Sequence, residues 1–158
     1  MQARLGELVD ALEGSGLVEE LDGRPVGLVT WVVSGAAAAR ANEAEIRVLV
    51  VAPDERRQGA GSVLLAWARR SLHGQGVERA WLVTTNDNLE ALAFYQRRGW
   101  RLAAVHAGAV DEARRTLKPA IPRRAANAIP IRDELVLEIG VDDDGWGSAP
   151  DSASGPLG

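Results

Sequence analysis

The chain has 158 residues, 46% hydrophobic and 25% charged, a composition that fits one ordinary globular domain and excludes a disordered or fibrous chain. It holds no cysteine, which removes disulfide frameworks, zinc ribbons and cysteine nucleophiles, and its 18 basic against 22 acidic residues give −4, the wrong sign for a generic nucleic-acid binder. Nothing approaches the roughly 18 uninterrupted apolar residues of a membrane span, and Met1 to Gly16 has no signal-like apolar core, so a cytoplasmic protein without membrane contact is expected.

In chain order, Leu5, Leu8, Val9 and Leu12 recur at helical spacing and Gly14-Ser15-Gly16 ends the run, which predicts a short amphipathic helix from Gln2 to Leu12. Leu17 to Leu21 reads as a strand. Asp22-Gly23, with Arg24-Pro25, forms a four-residue connection into the β-rich run Val26 to Val33, hence an antiparallel hairpin. A third strand spans Glu45 to Val51, alternating Ile46, Val48 and Val50 against Glu45, Arg47 and Leu49, and it stops at Ala52-Pro53. Gly59 to Leu72 is a helix whose stripe of Gly61, Leu64, Leu65, Ala68 and Leu72 suits packing on a sheet. A strand from Ala80 to Thr84, a helix from Leu89 to Arg97 and a strand from Trp100 to His106 follow. A helical turn or two between Val110 and Leu117, a Pro- and Ala-containing link from Pro119 to Pro130, and a strand from Glu134 to Val141 complete the domain. The fold class is α/β (α+β): a mixed, mostly antiparallel central sheet flanked by helices. One domain is placed at 1–141, and 142–158, acidic and then Gly/Ser/Pro-rich, is expected to be a mobile tail in which Trp146 is the one residue with a reason to dock.

The chemistry concentrates in Val50-Val51-Ala52-Pro53-Asp54-Glu55-Arg56-Arg57-Gln58-Gly59-Ala60-Gly61-Ser62. A strand stops, a charged turn follows, and two glycines open a helix whose unpaired N–H groups, dipole and adjacent arginines favour an anion. No Gly-Lys-Ser/Thr follows, so this is not a P-loop, and the third glycine of a dinucleotide fingerprint is missing. The alternative is that Gly59 and Gly61 only shape a tight turn and a close helix–sheet contact.

Arg56-x-x-Gly59-x-Gly61 after a strand resembles the acyl-CoA pyrophosphate loop of the GNAT superfamily of N-acetyltransferases. Asn88-x-x-Ala91-x-x-Phe94-Tyr95-x-x-x-Gly99-Trp100 resembles that family's second signature, in the right order and at the right distance. The likeness covers Leu17 to His106 closely, and Ile129 to Val141 is compatible with the family's last strand. It implies acetyl-CoA as co-substrate. Leu49, Val50 and Val51 would pair with its pantetheine arm, and the pyrophosphate would lie near Arg56 and on the amides of Arg57, Gln58, Gly59, Ala60, Gly61 and Ser62. Asn88 would sit near the pantetheine or its thiol end, and Tyr95 beside the thioester sulfur. It further implies direct acetyl transfer to a primary amine, on a small molecule in the first instance, with Tyr95 as general acid. By its place at the start of the cofactor-binding strand, where members of the family carry a catalytic glutamate, the resemblance implies Glu45 as the general base, with Glu43 as its alternative. The competing readings are a core ring for Tyr95 and a solvated strand end for the two glutamates. No metal is implied.

The chain departs from the family at its start. Only Met1 to Gly16 precede the first predicted strand, where the family usually has a strand and two helices, so a shortened N-terminus with an acceptor site incomplete or borrowed from a partner chain is expected. In compensation, Ala107 to Pro130 is a long link carrying Arg114, Arg115, Lys118, Arg123 and Arg124, either a contact for acidic groups or a solvated face. His73 and His106 read as surface residues. The alternative function is a non-catalytic acyl-CoA sensor or partner subunit, and a weaker one is a nucleotide site on the same loop. Exposed sheet edges leave a homodimer open.

Overall fold

The computed structural model describes residues 1–35, 41–56 and 59–147. Its elements are β1 (Gln2–Arg4), β2 (Glu7–Val9), β3 (Ser15–Leu21), β4 (Arg24–Val33), β5 (Glu43–Val51), α1 (Ala60–Gly74), β6 (Arg79–Thr85), α2 (Leu89–Arg97), β7 (Arg101–His106), α3 (Ala109–Thr116) and β8 (Glu134–Gly140). Among the described residues six strands form one sheet in the order β3-β4-β5-β6-β8-β7, antiparallel except for β5 beside β6, and β1 and β2 form a separate hairpin. The mixed, mostly antiparallel sheet flanked by helices is thus the observed architecture.

Alternation divides the sheet into two faces. Val29, Trp31, Ala44, Ile46, Ala80, Leu82, Leu137 and Ile139 point to the near face, where they join Leu64, Leu65, Ala68 and Leu72 of α1 and Tyr95 of α2 in one core. The far face carries Glu45, Trp81, Glu134 and Val136 and is covered by the β1–β2 hairpin and α3. A register shift opposite Arg47 changes the alternation within β5: Trp31 pairs with Ile46, but Thr30 pairs with Val48 and Val29 with Leu49. The simple alternation read from the sequence therefore fails beyond Arg47. Leu49 joins the near face with Ile46, while Val48 shares the far face with Glu45.

Three expectations are corrected. The first segment is a hairpin and not a helix: Leu5 (φ 46°) and Gly6 (φ 81°) make a two-residue turn between Arg4 and Glu7. An isolated helix of this length is marginal, whereas the hairpin gains two anchors on the sheet, Arg4 to Glu45 and the Leu5 N–H to Glu134 Oε2 at 2.8 Å. The turn between β3 and β4 is two residues long, Asp22 (φ 52°) and Gly23 (φ 74°), with Arg24 and Pro25 already in the strand. The chain also stays packed past 141. Trp146 is fully buried against Trp100, 5.2 Å between ring centroids, and its Nε1 donates to the Gly140 carbonyl at 3.1 Å. Gly145 and Gly147, both at positive φ, let this turn approach the backbones of Arg98 and Ser62 more closely than any Cβ permits. The remainder of the expected tail, 148–158, lies outside the described residues. No described helix is long and apolar enough to cross a membrane.

Candidate active site

β5 and β6 pair over only three residues, Glu43 with Arg79, Ala44 with Ala80 and Glu45 with Trp81, and then diverge. Past that point β5 is held by β4 and β6 by β8, so alternate residues of 46–51 turn their N–H and C=O groups into an open fork. On the near face the fork opens into a cleft of about 840 Å³ between β5, the start of α1 and α2. Leu49, Val50, Val51, Arg56, Gly59, Gly61, Ser62, Asn88 and Tyr95 all line it. Ala60 is buried under the first turn of α1. Arg57 and Gln58 lie outside the described residues.

Gly59, at φ 81°, makes the turn into α1, and among the described residues no side chain caps the helix and no acid stands in its first turn. The first-turn N–H groups are thus free of side-chain competition for an anion. The two glycines differ in purpose. A Cβ at Gly59 would meet nothing within 4 Å, so the left-handed backbone is what requires glycine there; a Cβ at Gly61 would come 3.3 Å from Phe94 Cζ. Gly61 is therefore also the close contact between α1 and α2 at the floor of the cleft. Asn88 has a structural duty as well, since its Oδ1 caps α2 by accepting from the Ala91 N–H at 3.2 Å.

The Tyr95 ring lies edge-on to Phe94 and Trp100, each 5.2 Å away, with the residue 8% exposed and at the cleft. Among the described residues its phenol has no hydrogen-bond partner. Burial pushes its pKa well above that of an ordinary tyrosine, with nearby Arg98 pulling weakly the other way, so the proton stays on the oxygen at neutral pH. Glu45 occupies the apex of the fork on the far face, 5% exposed, in ion pairs with Arg4 and with Arg47 Nε at 3.4 Å. Arg4 also stands over the Trp81 ring, 5.5 Å from its centroid. Glu43 is one turn of the pleat away and faces Arg79, 3.9 Å. His73 is exposed near Asp142 and His106 is exposed on β7.

Sequence reasoning missed Arg98. Its Nε and Nη2 donate to Ser62 Oγ at 3.2 and 2.5 Å, its Nη1 to the Phe94 carbonyl at 3.0 Å, and its guanidinium covers the Phe94 ring at 3.6 Å. It brings a cation, partly desolvated, to the uncapped start of α1. The signal was its spacing of four from Phe94 on α2.

Residues 3–100 match the Acetyltransferase (GNAT) family. The chain belongs to that family. The acetyltransferase is 38% identical over 128 residues to the uncharacterized protein YxbD of Bacillus subtilis, covering 81% of this chain and 74% of YxbD. Its fold is that of a Bacillus subtilis acetyltransferase solved in complex with CoA (TM-score 0.66, 20% identity, 80% of this chain and 76% of that one). It is equally that of a GNAT acetyltransferase of Elizabethkingia anophelis with acetyl-CoA bound (TM-score 0.65, 19% identity, the same coverage). In this acetyltransferase the basic link does not reach the cleft. Arg114 turns inward to bond carbonyls, Arg115 pairs with Glu112, Lys118 donates to the Met1 carbonyl and Arg124 to the Ala128 carbonyl.

Proposed function

We propose that the protein transfers the acetyl group of acetyl-CoA directly to a primary amine. The observation that carries this reading is the cleft itself, which joins an uncapped helix start flanked by Arg56 and Arg98 to an open strand fork, with an unpartnered phenol facing it and a carboxylate at the fork's apex. The residues fit the cofactor: the first-turn amides of α1 and the two arginines suit a pyrophosphate, and the unpaired edge of β5 suits an extended amide-bearing arm. When bound, acetyl-CoA supplies an activated acetyl thioester. Glu45 takes one proton from the ammonium group of the acceptor, and the nitrogen lone pair so released forms the C–N bond as the C–S bond breaks. Tyr95 gives a proton to the departing sulfur, the nitrogen sheds its second proton to solvent as the amide forms and the Tyr95 phenolate is reprotonated from solvent, while backbone N–H groups of β5 offer donors to the carbonyl oxygen. Arg98 supports Tyr95 by its positive charge and holds α1 and α2 together through Ser62.

One observation favours a second reading: Glu45 is already engaged by two guanidinium groups, which suits a structural carboxylate in an acyl-CoA-binding sensor. Calorimetric titration with acetyl-CoA, against ATP and NAD, followed by CoA-thiol release with amines, separates the two. Saturable acetyl-CoA binding with amine-dependent thiol release is expected. Binding without release by any amine leaves the sensor, and binding of ATP or NAD instead refutes both.

A further inference from the structure

A second cavity, of about 310 Å³, lies on the far face of the sheet. Its floor is the end of β6, from Val83 to Thr85, with Glu134 of β8 beside Thr85. One wall is β1; the other is α3 and the chain that follows it, through Val110, Ile121 and Ile131. That second wall has little regular structure yet is firmly built. Arg114 donates to the carbonyls of Ile121 at 2.9 Å, Pro122 at 2.8 Å and Ile131 at 2.9 Å. Asn86 donates to the Pro130 carbonyl at 2.8 Å and accepts from the amides of Arg132 and Asp133 at 2.9 and 3.0 Å.

Glu134 is 3% exposed and its Oε2 accepts the Leu5 N–H, but among the described residues no cation pairs with it. Arg4, close enough to feel its charge, is committed to Glu45. Arg4 and Lys118 both line the cavity, but Arg4 is ion-paired with Glu45 and Lys118 donates to the Met1 carbonyl at 3.0 Å, so the buried carboxylate is left as a site that a ligand cation completes. Arg4 lines this cavity and is ion-paired with Glu45 at the apex of the fork, so one side chain links the cavity wall to the point where β5 and β6 part. The volume is at the low end for small-molecule sites, too small for a polypeptide and suited to a molecule of amino-acid or monosaccharide size.

We infer that this cavity is the acceptor site and selects a small free amine with an apolar body, its ammonium held by Glu134 and its body by Val83, Val110, Ile121 and Ile131. An ammonium group has three N–H bonds: one stays on Glu134 while another is given up to Glu45 through an intervening water, as the acetyl-transfer reading on which this step rests requires.

The test is calorimetric titration with phenethylamine, with tyramine, and with 2-phenylethanol as the uncharged counterpart, on the wild type, Glu134→Gln and Ala3→Trp. The amines are expected to bind the wild type and the alcohol about tenfold more weakly or worse; Glu134→Gln removes that difference and leaves acetyl-CoA affinity unchanged. Ala3→Trp, which fills the cavity from the β1 wall, abolishes amine binding and leaves acetyl-CoA binding intact. Failure of both amines to bind the wild type, or equal amine affinity in Glu134→Gln, overturns the inference. Thiol release tells its failure from that of the transfer reading. Release with a lysyl octapeptide but with neither amine refutes the cavity and keeps transfer, whereas Glu134-dependent amine binding without any release keeps the cavity and refutes transfer.

Discussion

Replacing Tyr95 by phenylalanine removes one oxygen and leaves the packing in place. The ring keeps its edge contacts with Phe94 and Trp100 at 5.2 Å, and because the phenol has no partner among the described residues, no donor or acceptor of theirs is stranded by its loss. Stability at neutral pH should therefore change by less than about 0.5 kcal/mol, whereas Tyr95→Ala would open a cavity at about 3–5 kcal/mol. Catalysis should respond differently: a positioned general acid contributes about 10²–10⁴-fold, so kcat falls by that factor in thiol-release assays while calorimetric acetyl-CoA affinity holds. Protonation gives a second readout. The folded phenol has a pKa raised by burial above the ordinary value of about 10, so as pH climbs the unfolded chain loses this proton first. The stabilising contribution is full below about pH 10 and is lost above it by roughly 1.4 kcal/mol per pH unit, until the folded phenol itself ionises. Tyr95→Phe should accordingly resist alkaline unfolding better than the wild type. Tyr95 is the single tyrosine, so phenolate absorbance reports it alone: native protein at about pH 10 should show little phenolate, and denaturant should release it. Retention of kcat in Tyr95→Phe, or a native phenolate signal near neutrality, would refute the assignment.

Glu45→Gln should lower kcat/KM about a hundredfold near pH 7, with the deficit shrinking toward alkaline pH where the amine arrives neutral; a pH-independent deficit would indicate a structural carboxylate. Gly61→Ala forces Phe94 to move by a few tenths of an ångström and should weaken acetyl-CoA binding about tenfold, while Gly59→Ala, at φ 81°, should cost about 1–2 kcal/mol of stability in denaturant melts without a steric clash. Trp146→Ala should cost about 3–5 kcal/mol in the same melts, since the ring is fully enclosed beside Trp100; a loss under about 1 kcal/mol would mean that 142–147 does not hold the core.

What the sequence disclosed follows from where its signals are local. From Leu17 to His106 apolar periods, glycine breaks and two spaced motifs agree with one another, and nine of the residues they single out meet in one cleft. The failures arise where a distant group decides. Gln2 to Leu12 has the spacing of a helix, but Glu45 and Glu134, far along the chain, hold Arg4 and the Leu5 amide in a hairpin. The shift at Arg47 leaves no mark in its own segment because it is set by pairing with β4. The wall after α3 depends on Arg114 and Asn86 bonding carbonyls and amides far from them in sequence, and no window of pattern registers such bonds. Trp146 shows the limit of composition as a guide: in a stretch of Asp, Gly and Ser, one indole is enough to pin the chain.

The two faces of the sheet make a further demand on these assignments. Gly61 acts on the near face and Glu134 on the far face, with no shared partner, so Gly61→Ala and Glu134→Gln should be additive in every binding free energy. Glu45 and Glu134 should not be, because Arg4 lies between them. Neutralising Glu45 releases one of the two guanidinium groups that hold it, and Arg4, already within electrostatic reach of Glu134, can then satisfy that carboxylate in place of the ligand. Glu45→Gln should thus weaken phenethylamine binding although it does not touch the ammonium, and Glu134→Gln should cost several-fold less affinity in the Glu45→Gln background than in the wild type. Calorimetry on the four proteins of this cycle measures the coupling directly. Strict additivity would mean that Arg4 stays where it is, and the link between the acceptor cavity and the fork would then have to run through some other group.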